Sequence, residues 1–131
     1  MKILILGAGR VGSSLASTLS KQQYEVSIVD LNKNRLQRLQ EDLDLATEVG
    51  HGSYPSTLKK VGADEETILL AVTSSDECNI TSCQIAKSKF NVKKTICRLS
   101  DASYLNSLSA FGENNIDIAI SPENEVTEHL V

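Results

Sequence analysis

The chain has no tryptophan, and aromatic residues make up only 4% of its 131 positions. A platform of rings on which successive bases stack is therefore excluded. Basic residues are outnumbered 13 to 17 by acidic ones, for a net charge of −4. The basic face that neutralises a phosphate backbone is missing, so no nucleic-acid partner is expected. The three cysteines, Cys78, Cys83 and Cys97, are odd in number and lack C-x-x-C spacing. They read as reduced thiols and not as a disulfide frame or zinc site, with Cys78 and Cys83 as small buried residues. No metal is expected. Apolar runs reach about five residues against the ~20 that cross a bilayer, so no direct membrane insertion is expected. The sequence enters at once on strand-like residues, without a signal-peptide pattern. Low-complexity linkers and short repeats are lacking too. Residues 1–131 are expected to form a single domain, and 40% apolar with 23% charged residues is a globular balance.

What the sequence does hold is concentrated in its first thirty residues. Lys2-Ile3-Leu4-Ile5-Leu6 is a strand-like run. Gly7-Ala8-Gly9-Arg10-Val11-Gly12 follows at once, then an amphipathic stretch, then Val26-Ser27-Ile28-Val29 ending in Asp30. The order is strand, glycine turn, helix, strand, acid, and each part has its own task around one ligand. Gly7 permits the tight turn, Gly9 lets backbone approach a pyrophosphate, and Gly12 lets the helix pack on the strand. The helix N-terminus offers free N–H groups and partial positive charge to phosphates. Asp30 follows Gly12 at close to the ~20-residue spacing expected of a carboxylate that receives ribose hydroxyls.

Strand-like and helix-like segments alternate to the end of the chain. Helices are expected over Asn32–Asp42, Pro55–Val61, Asp76–Phe90 and Ala102–Phe111, the last stopped by Gly112. Strands are expected over Leu45–Val49, Thr67–Val72, Lys94–Arg98 and Asp117–Ile120, with a further helix opening at Ser121-Pro122-Glu123. Such alternation predicts an α/β fold: a Rossmann doubly wound parallel sheet of six strands, order 3-2-1-4-5-6, with helices on both faces. The ligand crevice then lies at the carboxyl ends of strands 1 and 4.

The strand-end loops carry the candidate chemistry. A carboxylate at Asp30 favours a free 2′-hydroxyl, and Leu31, Asn32 and Lys33 bring no arginine for a 2′-phosphate, so NAD or NADH is preferred over the phosphorylated dinucleotide. ATP, ADP and AMP present the same ribose diol and remain possible ligands of the same site. Arg10, inside the glycine turn, can reach a phosphate oxygen. For Arg98, at a strand end, two roles stand open: a phosphate contact, or a carboxylate pair in a subunit interface. His51 lies between Gly50 and Gly52, either facing a ligand or forming an ordinary turn. Thr73 and Ser74 either contact ribose and phosphate or cap the helix that follows. His129 reads as surface. Residues for hydride transfer to a substrate carbon are missing, as is any Ser/His/Asp or Cys/His set. No enzyme activity is expected.

Lys2 through Gly12, Asp30, Gly50-His51-Gly52-Ser53, Ala71-Val72-Thr73-Ser74-Ser75-Asp76-Glu77-Cys78-Asn79 and Ser121-Pro122-Glu123 together resemble the RCK N-terminal (KTN) domain of TrkA-type potassium-uptake regulators. The likeness covers essentially the whole chain, and the segment Thr73–Asn79 is its most specific piece. It implies a cytoplasmic nucleotide sensor, peripheral to the inner membrane through a potassium-transporter subunit, assembled as a homodimer or ring. Gly7, Ala8, Gly9, Arg10, Val11 and Gly12 would hold the phosphates. Asp30 would hold the ribose, with Leu31 beside it. His51 and Gly52 would border the adenine, and Thr73, Ser74 and Arg98 would complete the site. Full-length regulators carry a C-terminal ligand domain, which is expected to be absent from this chain. Two other classes fit a glycine turn with a ribose acid. One is the cofactor half of an NAD-dependent dehydrogenase, and the other an S-adenosylmethionine domain.

Overall fold

Alternation of apolar side chains sets the sheet. In β1 (Lys2–Leu6), Ile3 and Ile5 face one layer of the core, and Leu4 and Leu6 face the other. The same division runs through β2 (Glu25–Asp30), with Val26 and Ile28 opposed to Val29, and through β4 (Thr67–Ala71), with Ile68 and Leu70 opposed to Leu69 and Ala71. A strand buried on both faces belongs to a parallel sheet covered by helices on both sides. The computed structural model describes residues 1–107 and 115–121 and shows that arrangement. All pairings are parallel, and the order is β3-β2-β1-β4-β5-β6, with β3 at Ala46–Val49, β5 at Lys94–Arg98 and β6 at Ile118–Ile120.

Two layers of helix cover the sheet. On one face, α1 (Arg10–Lys21) buries Val11, Leu15 and Leu19, and α2 (Lys33–Asp42) buries Leu36. On the other, α3 (Pro55–Lys60) buries Leu58, and α4 (Asp76–Phe90) buries Ile80, Cys83 and Ala86. Leu36 is the one fully covered residue of α2. Burial of such a side chain contributes roughly 1.5–3 kcal/mol, so this single contact does much to hold the helix. α5 (Ala102–Leu105) follows β5. Among the described residues no helix is long and apolar enough to cross a membrane.

Several boundaries differ from expectation, two of them where a side chain takes the place of the backbone. Asn32 lies outside α2 and caps it, its Oδ1 accepting the N–H of Asn34 (3.0 Å) and Arg35 (3.2 Å). Val61 serves as the C-cap of α3 rather than its last residue. Asp117 stays outside β6, because its carboxylate accepts the Thr95 N–H at 2.8 Å and pairs with the Lys87 ammonium at 2.8 Å. The fifth helix is observed only over Ala102–Leu105. Gly112, Pro122, Glu123 and His129 lie outside the described residues.

Candidate functional site

The glycine turn is built from close approaches. Gly7 has φ of +107°, and a Cβ there would stand 3.0 Å from the Thr73 Cα. A Cβ on Gly12 would fall 1.6 Å from the Gly7 carbonyl oxygen, so no side chain fits. Gly9 differs, because its φ is −75° and a Cβ would meet nothing nearer than an Arg35 guanidinium nitrogen at 4.0 Å. As the cap of α1 it supplies no side-chain acceptor, and the first turn contains no acid. The first amides of α1 therefore keep the unmet donors of a helix start, aimed where an anion can meet them.

Asp30 ends β2 beside this turn. Its Oδ1 accepts the Ala8 N–H (2.8 Å) and its Oδ2 the Asn32 N–H (2.8 Å). A carboxylate has about four lone-pair positions, so each oxygen keeps capacity for a further donor. The half-buried His51 follows β3. Its Nδ1 accepts the Ser53 backbone N–H at 3.2 Å and lies 2.8 Å from the Ser53 hydroxyl, and its ring stacks on Tyr54 with centroids 4.6 Å apart. Because a backbone N–H can only donate, the neutral ring carries its proton on Nε2.

Thr73 follows β4. Its hydroxyl lies 2.7 Å from the Asn79 Oδ1, to which it donates, and accepts the Ser75 N–H at 3.2 Å. That hydroxyl is engaged within the loop, while Ser74 is exposed. The Arg98 Nη1 donates to the Thr73 carbonyl at 3.2 Å.

These parts line one crevice of about 820 Å³ at the carboxyl ends of the strands. Gly7, Gly9, Arg10, Val11, Asp30, Leu31, His51, Gly52, Thr73, Ser74 and Arg98 border it. Of the thirteen expected residues, Ala8 and Gly12 do not line it. Ala8 is buried and holds Asp30, and Gly12 packs on Gly7. Sequence reasoning missed Arg35, Asn32, Ser75 and Cys78, which also line the crevice. Leu31, Asn32 and Lys33 bring no arginine, as expected, but Arg35 lies two residues further on, and the Asn32 cap starts α2 so that its first turn delivers that arginine to the crevice. Cys78, expected among buried residues, is half-exposed at the crevice, whereas Cys83 is buried. A hydrogen bond with Cys97, and then burial, push the Cys83 thiol well above its ordinary pKa.

The electrostatics are lopsided. Arg10, Arg35 and Arg98 border the crevice against one lining carboxylate, Asp30. Among the described residues the ion pairs lie elsewhere: Lys2 with Asp64, Lys60 with Glu48, Lys87 with Asp117. No group of three or more potential metal ligands occurs among the described residues.

The family model of the TrkA-N domain matches residues 3–122. The chain is 40% identical over 132 residues to the Trk system potassium uptake protein TrkA of Halomonas elongata, covering 99% of this chain and 29% of that protein. It is 41% identical to the protein of the same name from Azorhizobium caulinodans, covering 100% and 30%. The chain thus spans under a third of the length of these relatives. In structure it is similar to the TrkA-N domain of the inner membrane protein ybaL from Escherichia coli (TM-score 0.80, 17% identity, 98% of this chain and 93% of that one). It is also similar to a GsuK channel bound to NAD (TM-score 0.72, 17% identity, 91% and 21%) and to a Shewanella denitrificans Kef C-terminal domain in an AMP-bound form (TM-score 0.74, 18% identity, 99% and 77%). At such identities the structural likeness establishes the fold.

Proposed function

The chain belongs to the TrkA-N domain family, and from that premise we propose that it is the nucleotide-sensing regulatory domain of a potassium-uptake system. It takes an adenine nucleotide, NAD(H) or ATP and ADP, across the crevice between β1 and β4. The unmet amides of α1 receive the phosphates, with Arg10 and Arg98 beside them, and Asp30 accepts the ribose hydroxyls. Val11, Leu31, His51, Gly52 and Ser74 enclose the rest of the ligand. Gly12 and Ala8 act by shaping the turn. The domain is a switch and not an enzyme. A ligand with different affinity for two assembly geometries shifts their populations, and a membrane potassium-transporter subunit responds. The domain works at the cytoplasmic side of the inner membrane, as a homodimer or within a ring.

The observation that carries this proposal is the set of three arginines around an uncapped helix start, none with an ion-pair partner among the described residues. Three cations facing a single lining carboxylate suit a ligand that brings several negative charges. The names of similar proteins point the same way, since they include potassium uptake proteins, a channel bound to NAD and a C-terminal domain in an AMP-bound form.

A thermal-shift and calorimetric panel of NAD, NADH, ATP, ADP and S-adenosylmethionine tests it. Adenine nucleotides should raise the melting temperature with occupancy. Binding of NAD without any tolerance for ATP or ADP would support the dehydrogenase alternative. A response to S-adenosylmethionine alone would support a methyl-donor domain.

A further inference from the structure

Four hydrogen bonds meet on a residue that does not line the crevice. Asn79, one turn into α4, has 0% exposure. Its Oδ1 accepts the Thr73 N–H (3.0 Å) and the Thr73 hydroxyl (2.7 Å). Its Nδ2 donates to the carbonyls of Thr73 (3.1 Å) and Arg98 (2.9 Å). A primary amide has two lone pairs and two N–H groups, so its capacity is filled. The flipped amide would set an NH2 against the Thr73 N–H, so the network itself assigns the orientation. Aspartate has the same shape but no donors for the two carbonyls, and serine is too short to span them.

Thr73 is the point where the two halves of the crevice touch. Its backbone packs against Gly7, with Cα and N at 3.0 and 3.1 Å from where a Cβ on Gly7 would be. Its carbonyl receives the Arg98 guanidinium. The start of α4 is tied down a second time, because the Asp76 carboxylate accepts the N–H of Ser100 (3.0 Å) and Asp101 (2.9 Å) beyond β5. We infer that Asn79 is a positioning residue of the nucleotide site: it clamps Thr73 to the end of β5 and thereby sets where the Arg98 guanidinium stands relative to the glycine turn. The inference rests on the proposed nucleotide site but concerns a side chain that never touches the ligand.

The test compares Asn79→Asp, Asn79→Ser, Arg98→Ala and the pair Asn79→Asp/Arg98→Ala with the unaltered chain, at a temperature where circular dichroism shows each folded. Ser82→Ala is the control. Ser82 is equally buried on the same helix, but its hydroxyl donates to the Cys78 carbonyl (2.7 Å) and not to the crevice loops. Calorimetry with ADP and with adenosine separates phosphate positioning from general loosening. Both Asn79 variants should weaken ADP on the order of tenfold and adenosine far less. Ser82→Ala should leave both affinities unchanged, and Asn79→Asp should add little once Arg98 is gone. Equal loss for ADP and adenosine, unchanged ADP affinity, or full additivity with Arg98→Ala would overturn the inference. A second measurement needs no variant. Hydrogen exchange at the Thr73 amide should be as slow as at core amides such as that of Leu70, and loop-like exchange would also overturn it. If the unaltered chain binds neither ADP nor NADH, it is the nucleotide proposal that fails, whereas sound binding with indifferent Asn79 variants defeats the Asn79 role alone.

Discussion

The Asp30 carboxylate holds the Ala8 amide at 2.8 Å, joining the end of β2 to the middle of the glycine turn. The carboxylate therefore organises the turn before any ligand arrives. Asp30→Ala should cost about 1–3 kcal/mol of stability, the usual effect of leaving a buried donor unmet. In the proposed site it also removes the ribose acceptor. Calorimetry should show adenosine and NADH weakened about tenfold or more, with inorganic pyrophosphate weakened less, because the cost of a loosened turn is offset by the loss of a nearby negative charge. Equal losses for pyrophosphate and adenosine would place the ribose elsewhere.

Gly9 and Gly12 should behave as opposites. Gly12→Ala forces a methyl to 1.6 Å from the Gly7 oxygen and should destabilise the fold by about 3 kcal/mol or more, read from urea midpoints. Gly9→Ala fits the fold, since its φ is −75° and its nearest neighbour is 4.0 Å away. Its stability should change by well under ~1 kcal/mol, while ADP and NADH binding should collapse. A Gly9→Ala protein that binds normally would show that phosphates do not approach this backbone.

The three arginines make a prediction about ionic strength. Raising salt from about 50 to 500 mM shortens the screening length from roughly 14 to 4 Å and should weaken ADP measurably. Arg98→Ala and Arg35→Ala should each flatten that dependence. A salt response identical in all three proteins would remove these residues from the phosphate environment.

Thiol labelling should rank the cysteines. Cys83 and Cys97 are fully buried, and the Cys83 thiol is held well above its ordinary pKa by Cys97 and by burial. Both should resist iodoacetamide at neutral pH in the folded chain. Cys78 should react first, and ADP should slow its labelling because the residue borders the crevice. Mass spectrometry of labelled peptides reads the order directly.

Far from the site, Lys2 binds the Asp64 carboxylate at 3.0 Å. That hydrogen bond, followed by one from the Glu66 N–H, lowers the Asp64 pKa. A depressed carboxylate stabilises the fold above its unfolded pKa and loses that contribution as pH falls through the folded one. The difference in urea midpoint between the parent and Asp64→Asn should therefore be present at neutral pH and shrink below about pH 4. A difference that grows in acid would reverse the assignment.

Much of the site was legible because its parts lie in short, ordered segments. Gly7, Gly12 and Asp30 each answer a backbone demand that survives in a linear string, and the Rossmann strand order followed from regular alternation. Arg35 and Asn79 were not legible, for a shared reason. Each lies on the first turn or so of a helix, where a polar residue usually means a solvated face. Only the direction in which the helix starts brings Arg35 to the crevice, and only the packing of α4 against β5 encloses Asn79. The Thr73 hydroxyl shows the converse. Thr73 borders the crevice, but its hydroxyl proton is engaged by a partner six residues later, a relation that composition and spacing do not display.

In sheet order β4 sits next to β1 although β2 and β3 intervene along the chain. The crevice draws Gly7 from one of these neighbours and Thr73 from the other, and Arg98 arrives later still. A ribosome must therefore have released nearly a hundred residues before the seam can close. A nascent chain carrying only the glycine motif has half a cleft and nothing opposite it. A ligand bound across that seam, as proposed for a nucleotide, would stabilise the completed domain, but it could not template the opening steps of folding.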